Sequence, residues 1–367
     1  MTQQGVDQVC RTLASGRSRR SVLRAIGVGG LAGILGAAGA MTARRALAQE
    51  ATPAAECPAG TPEENVALVR RFFEEGVNTG NLANFDAVVA PDIVYNGATV
   101  SDESGLEALK RIYNDALIGF PGIQYDVLTP VASGNAVALR LQVTGVHTGE
   151  FRGLQPTGNT ITWNHSAFAH VTCGKITEMW AEVNQLDRLR QFGTLAADGP
   201  AAHMAGEAVP AGATPVAAAG SASCAPQGPE DVLAVVERLR TEVYNAGSID
   251  ALPGIVAEGY LHGSANGPDA LGIDAGGQQI GGFLAAIPDL DWTFDELIAQ
   301  EDRAAARWTI RGTNEGDLFG FPASGKPVEY TGISFFTVQC GKIVEFQTEM
   351  DVVGLLEQIG APVTREP

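Results

Sequence analysis

The chain has 367 residues, 45% hydrophobic and 18% charged, a balance that fits more than one globular domain and excludes bulk disorder. With 42 acidic against 24 basic side chains, the formal net charge is -18. Residues 1–48 hold seven arginines and one aspartate, so the acidic excess lies beyond them. A body that acidic repels phosphate backbones and anionic lipid headgroups, and no nucleic-acid partner is expected.

In chain order, the first feature is Ser18-Arg19-Arg20-Ser21-Val22-Leu23-Arg24, which resembles the twin-arginine export motif. An uncharged stretch of 19 residues rich in Gly and Ala follows at 25–43, and Ala46-Leu47-Ala48 reads as a cleavage site. Residues 1–48 are therefore expected to be a signal peptide whose removal leaves an exported protein with no stable membrane association. The alternative is a retained anchor, although glycines in that run make a poor spanning helix. Residues 49–56 form a short linker.

The body is duplicated. Cys173-Gly174-Lys175-Ile176 recurs as Cys340-Gly341-Lys342-Ile343, 167 positions later. Cys57 and Cys224, Pro62 and Pro229, Asn78 and Asn245, Gly145 and Gly312, and Gly193 and Gly360 keep the same offset without a gap. The units run over 57–193 and 224–367, joined by an Ala/Gly/Pro-rich linker at 194–223. Four cysteines in the mature chain allow three pairings. The duplication selects Cys57 with Cys173 and Cys224 with Cys340, because each unit carries one Cys before its first helix and one in its last hairpin. An oxidising destination permits both bridges.

Thr61 caps a helix with Pro62 in its first turn, and Glu63 and Glu64 favour the positive end of its dipole. Val66, Val69, Phe72, Phe73 and Val77 follow at helical spacing, and Asn78-Thr79-Gly80-Asn81 ends the run. The pattern predicts a short helix over 82–89, a short strand at 93–95 and a third helix over 105–120. The period then changes to two, which predicts strands at 123–128, 136–144, 160–172 and 176–183 and a terminal helix over 184–192. The second unit repeats the order, with strands at 291–299, 304–311, 327–338 and 343–350. Helices followed by an antiparallel meander give an α+β class: two tandem cone-shaped α+β barrels, each with helices packed on a curved antiparallel sheet around an apolar cavity.

Several runs carry a family resemblance. In the first unit they are residues 64–73, Asn78-Thr79-Gly80-Asn81, Gly145-Val146-His147-Thr148-Gly149-Glu150-Phe151, Pro156-Thr157-Gly158 and Gly174-Lys175-Ile176-Thr177-Glu178-Met179-Trp180. In the second they are Phe283-Leu284-Ala285-Ala286-Ile287-Pro288-Asp289-Leu290 and Arg307-Trp308-Thr309-Ile310-Arg311-Gly312-Thr313. Both units resemble the SnoaL-like polyketide cyclase (ester cyclase) family, with its nuclear-transport-factor-two-like cone. The resemblance implies ring closure of a polyketide ester by intramolecular aldol chemistry. It also implies one carboxylate near the end of the last strand as general acid/base, a lining of His and aromatic residues, and no metal or organic cofactor.

After the Gly-Lys-Ile hairpin the family pattern often reads Glu-His-Trp, with an Asp a few residues on. The His position is Met179 here and Phe346 in the second unit. The Trp position is Trp180 and Gln347, and the Asp position is Asn184 and Asp351. Asp351 is the first candidate for catalysis, with Glu349 second. Asp351 would also suit the N-cap of the last helix, as would Asn184 in the first unit. The candidate pocket residues are His147, Trp163, His165, Trp180, Glu182, Asn184, Trp292 and Tyr330. Trp163 and His165 alternate on one strand and so share a face. Their counterparts Tyr330 and Gly332 leave the second unit without that His, and Asn314 replaces His147. His262, the counterpart of Tyr95, is expected in a surface loop, with a place at a pocket mouth as the alternative for both. The five histidines show no metal-ligand spacing, and no nucleophile elbow, phosphate loop or dinucleotide fingerprint occurs.

The expected function is an exported protein acting by general acid/base chemistry on a small hydrophobic molecule that bears a carbonyl, with the better site in the second unit. The alternative is a non-catalytic secreted module with degenerate sites, binding small ligands or pairing its two halves as an intramolecular pseudo-dimer. Loss of the His in both units and of the Asp in one favours the alternative, as does export, because bacterial polyketide assembly is cytoplasmic.

Overall fold

The computed structural model describes residues 57, 59–97, 104–194, 224, 227–263 and 269–363. The expected signal peptide, the 49–56 linker and nearly all of the 194–223 linker lie outside them. Among the described residues no helix is long and apolar enough to cross a membrane.

The first unit opens with α1 (Pro62–Arg71). Its start is fixed by a reciprocal cap: Thr61 Oγ1 accepts the Glu64 N–H at 3.2 Å, and Glu64 Oε2 accepts the Thr61 N–H at 2.8 Å. The helix then widens into a π-helical turn, Phe72–Val77, whose Phe72, Phe73 and Val77 are fully buried. The short helix expected over 82–89 is a 3-10 turn, Leu82–Asn84, followed by the single turn α2 (Phe85–Val88). There follow β1 (Val89–Gly97), α3 (Leu106–Gly119), β2 (Gln124–Ser133), β3 (Ala136–Val146), β4 (Thr160–Thr172), β5 (Lys175–Val183) and α4 (Gln185–Phe192). The second unit repeats this as α5 (Pro229–Arg238), α6 (Leu252–Ile255), β6 (Val256–Gly263), β7 (Ala270–Leu271), α7 (Ile273–Ala286), β8 (Asp291–Gln300), β9 (Arg303–Thr313), β10 (Pro327–Gln339), β11 (Lys342–Met350) and α8 (Val352–Ile359).

Each unit builds its own sheet, in the orders β1-β5-β4-β3-β2 and β7-β6-β11-β10-β9-β8. The α+β class and the tandem arrangement are as expected. β1 is longer than the expected strand and pairs parallel with β5, while the later strands form the antiparallel meander. β2 also runs past its expected end, through Pro130, because it is an edge strand and the pairing slips between Val127 and Thr129. The bridges join Cys57 to Cys173 and Cys224 to Cys340, with Cα atoms 5.3 and 5.4 Å apart. Cys173 and Gly174 have φ of 54° and 68°, as a two-residue hairpin turn matched to strand twist requires.

A bulge after each of these hairpins decides which side chains enter the cone. His170 pairs with Glu178 but Val171 pairs with Ile176, so Thr177 is an extra residue. Strand parity flips there. Ile176, Met179, Ala181 and Val183 join the inner core, while Glu178, Trp180 and Glu182 turn to the other face. In β11 the same slip makes Val344 extra, so Phe346 faces inward and Gln347 and Glu349 outward.

The outward faces of the two sheets pack against each other. Val131, Ala136, Ala138 and Phe168 meet Ile298, Ala305, Ile333 and Phe335 in an apolar cluster flanked by Trp180. Many of these are repeat equivalents, and the polar contacts are reciprocal as well. Thr331 Oγ1 donates to Glu182 Oε1 at 2.7 Å. Their repeat mates are Asn164 and Glu349, and the Asn164 side chain bonds the Glu349 carboxyl. Arg140 donates to Gln347 Oε1 at 3.0 Å, while Arg307 lies 4.2 Å over the Trp180 ring. Residue i of one unit meets residue j of the other, and the mate of j meets the mate of i, which is the rule of a two-fold interface. His170 and Glu296 add a 2.9 Å bond across the same seam.

Candidate functional site

The interior of the first cone is aromatic and carries a buried cation. β4 places Trp163 and His165 inward, β1 and β2 supply Tyr95 and Tyr125, α3 supplies Tyr113, and the π-helical turn supplies Phe73. The His165 ring sits 5.9 Å from Phe73 and 5.5 Å from Tyr125. Burial, with help from Arg188, pushes its pKa down to about 3, so the imidazole is neutral at physiological pH. Its Nε2 and the Trp163 indole N–H find no hydrogen-bond partner in the protein. The Tyr95 and Tyr113 hydroxyls face one another. Burial raises the Tyr95 pKa to about 12 and pushes that of Tyr113 up as well, so both phenols remain protonated.

Arg188 enters from α4, a helix whose Leu186 and Leu189 belong to the second unit's core while Phe192 belongs to the first. The Arg188 guanidinium lies 5.1 Å from the Trp163 ring and 5.4 Å from that of Phe151, and the residue is 5% exposed. Sequence reasoning missed Arg188, Tyr113 and Tyr125, because an Arg on an amphipathic terminal helix and a Tyr at helical spacing look like surface and core. Their pairing with His165 exists only in the fold.

The second cone is built differently at the same positions. Gly332 stands where His165 does, and a Cβ there would overlap the Trp308 indole. Trp308 replaces Leu141, and its indole N–H donates to Ser334 Oγ at 2.8 Å, which in turn bonds Thr348 Oγ1 at 2.9 Å. The equivalents of Ser334 and Thr348 are Ala167 and Ala181. Leu355 replaces Arg188. His262, expected in a surface loop, is 7% exposed and shares a 2.6 Å hydrogen bond with Tyr260. Burial lowers its pKa to about 4. Trp292 and Tyr330 face the interior, and their N–H and O–H have no protein partner.

The remaining candidates lie elsewhere. Asp351 Oδ1 accepts the Gly354 N–H at 2.9 Å and Asn184 Oδ1 the Asp187 N–H at 3.0 Å, so each caps a terminal helix. His147 is fully buried, with Nδ1 accepting the Thr157 N–H at 3.3 Å and its ring against Phe120 and Phe192. Asn314 does the same work in the second unit, accepting the Ser324 N–H at 2.9 Å. Both staple a loop. Trp180, Glu182 and Glu349 sit between the sheets rather than inside a cone, because the bulges at Thr177 and Val344 reverse the parity that the hairpin sequence alone suggests. Glu349 is 2% exposed, and its Oε2 has no hydrogen-bond partner. Burial raises its pKa to about 8 against the opposing pull of Arg140. Among the described residues no group of three or more His, Cys, Asp or Glu side chains could hold a metal ion.

Two curved sheets, each closed by helices over an aromatic interior, define a duplicated α+β cone protein. The SnoaL-like polyketide cyclase pattern matches residues 67–192 and 234–359, and the chain belongs to that family. It is 27% identical over 135 residues to the aklanonic acid methyl ester cyclase DauD of Streptomyces sp. (strain C5), a match that covers 34% of this chain and 80% of that protein. The aklanonic acid methyl ester cyclase DnrD of Streptomyces peucetius is 27% identical over 135 residues, covering 34% of this chain and 88% of the relative. The solved structure of TsrD from Streptomyces laurentii is 29% identical, covers 37% of this chain and 98% of that one, and has a TM-score of 0.34.

Proposed function

We propose that the first cone takes up a small hydrophobic molecule bearing a carbonyl and holds that carbonyl's oxygen with fixed hydrogen-bond donors. One observation carries this reading: two polar atoms with no hydrogen-bond partner in the protein, the Trp163 indole N–H and Nε2 of the neutral His165, share one inward face of β4 inside an aromatic enclosure. Buried polar groups are normally satisfied, and an unsatisfied pair on one strand face suits a polar atom of a ligand. Donors that meet developing negative charge stabilise an enolate, the species that an intramolecular aldol closure requires. The relatives named as aklanonic acid methyl ester cyclases support that reaction class. The face-to-face sheets support reading the second unit as a built-in partner subunit, and two bridges per chain fit an exported protein.

The second reading, binding without turnover, is favoured by the carboxylates. Glu182 and Glu349 lie between the sheets and Asp351 caps α8, so none stands beside His165. The test is incubation of the purified protein with aklanonic acid methyl ester, with ring closure followed by chromatography. Turnover is expected to fall on the order of 100-fold in His165→Phe, the loss typical of one oxyanion donor, and to survive in Asp351→Asn. Full activity in His165→Phe would remove the first cone from the chemistry. Saturable binding with no product would establish the second reading.

A further inference from the structure

We propose that the second unit carries a surface site for a small linear aliphatic amine, held as its primary ammonium ion in the groove between the 3-10 turn Ile249–Ala251, α6 and α7. The inference is independent of the cone reading above, and a difference between the two repeats carries it. In the first unit Lys110 reaches from α3 to α2. Its Nζ donates to Asp86 Oδ1 at 2.8 Å and to Glu107 Oε1 at 3.0 Å. The Lys110 side chain is 21% exposed, so its apolar stem is covered while the charged head meets both carboxylates.

The repeat mate of Lys110 is Gly277, a buried residue with no side chain to fill that space. What stands there is a groove of about 480 Å³, lined by Ile249, Pro253, Ile273 and Gly277 together with Asp250 and Asp274. The pair of carboxylates outlived the lysine. Asp274 is the mate of Glu107. Pro253 replaces Asp86, but Asp250 stands three residues earlier, where the first unit has Ala83, and residues three apart in such a turn share a face. No cation on the same helix takes over, because α7 has no Lys or Arg along its length. Lys342 donates to the Pro253 carbonyl at 2.8 Å, as its mate Lys175 does to the Asp86 carbonyl at 2.7 Å, so the first unit seats Lys110 with the same neighbour present. The groove thus keeps what the lysine used: an apolar trough for a chain of about four carbons and two acceptors for charge-assisted bonds from one ammonium.

The probes are n-pentylammonium, ethylammonium and 1-pentanol, titrated into the full chain at about 0.15 M salt and followed by saturation-transfer NMR. Pentylammonium is expected to bind one site per chain, and more tightly than pentanol, which has the chain without the charge. It should also bind roughly fivefold or more tighter than ethylammonium, since each buried methylene adds up to about a fourfold gain. Asp250→Asn combined with Asp274→Asn should reduce pentylammonium to the level of pentanol. Gly277→Lys, which copies the first unit, should fill the groove and abolish binding. Gly277→Ala should keep it, because a Cβ there meets Ile249 and Leu252 at 3.4 Å. Equal affinities for pentylammonium and pentanol, binding that persists undiminished in the double aspartate variant or in Gly277→Lys, or no binding of pentylammonium would each overturn the inference and leave the cone reading standing. Should Gly277→Lys fail to fold, the aspartate variants and the comparison with pentanol decide the question.

Discussion

The two cones share a backbone plan and differ in what fills it. The first keeps His165, Arg188 and a Trp163 N–H in a space walled by Leu141, Ala167 and Ala181. In the second, Trp308 lies over Gly332 and ties its indole N–H to Ser334 and Thr348. The outward faces keep several of their contact residues: Arg140 matches Arg307, Ala138 matches Ala305, Phe168 matches Phe335 and Glu182 matches Glu349. A face that must fit its own duplicate is constrained pair by pair: where Asn164 and Thr331 or Trp180 and Gln347 differ, each still meets a partner across the seam. An interior needs only its volume filled and its polar atoms met, and many side-chain sets do that.

The largest test of this contrast concerns the seam. Glu349 has a folded-state pKa near 8, above its ordinary value of 4.5. A carboxyl raised on folding binds its proton more tightly in the native protein, so stability is greatest below about pH 4.5, declines as pH rises toward 8, and stays low above that. The full effect is on the order of 5 kcal/mol, taking about 1.4 kcal/mol per pKa unit. Glu349→Gln should therefore match the parent protein in urea denaturation at pH 4.5 and exceed it at pH 9. A difference that does not change with pH would break the assignment.

A smaller effect separates the interiors. Gly332→His gives the second cone the first cone's residue but drives it into the Trp308 indole, at a cost of about 3 kcal/mol from overpacking. Adding Trp308→Leu restores the first cone's arrangement and should recover much of the loss. Strict additivity of the two changes in a double-mutant cycle would show that the indole does not occupy the histidine's place.

The smallest expected effect lies where the units agree. Asp351→Ala and Asn184→Ala should each cost about 1 kcal/mol, while Asp351→Asn, which keeps a good cap, should cost under about 0.5 kcal/mol. Thermal unfolding reads both, and a loss in Asp351→Asn as large as in Asp351→Ala would show that the charge does more than cap.

The sequence was readable wherever the signal is local or repeats. One offset of 167 residues located the duplication and selected both disulfides, and capping residues marked the starts of α1, α4 and α8. The change of period from helical to two gave the α+β class. Only part of the site could be read this way. Trp163 and His165 were placed correctly on one inward face because β4 runs in unbroken register with β3, with no bulge between them. Trp180, Glu182 and Glu349 were misplaced because each lies beyond a one-residue bulge.

The number of units, the order of their elements, the sulfur pairing and the caps follow from residues near one another in the chain or from a fixed repeat. The tertiary structure alone decided which face of β5 and β11 looks inward, that Arg188 reaches His165 from a helix bound to the other unit, and that Trp308 takes the place of a histidine. A bulge inserts one residue without changing composition or average period, and burial of a charge depends on groups brought together from distant parts of the chain. Neither leaves a local trace that periodicity can detect.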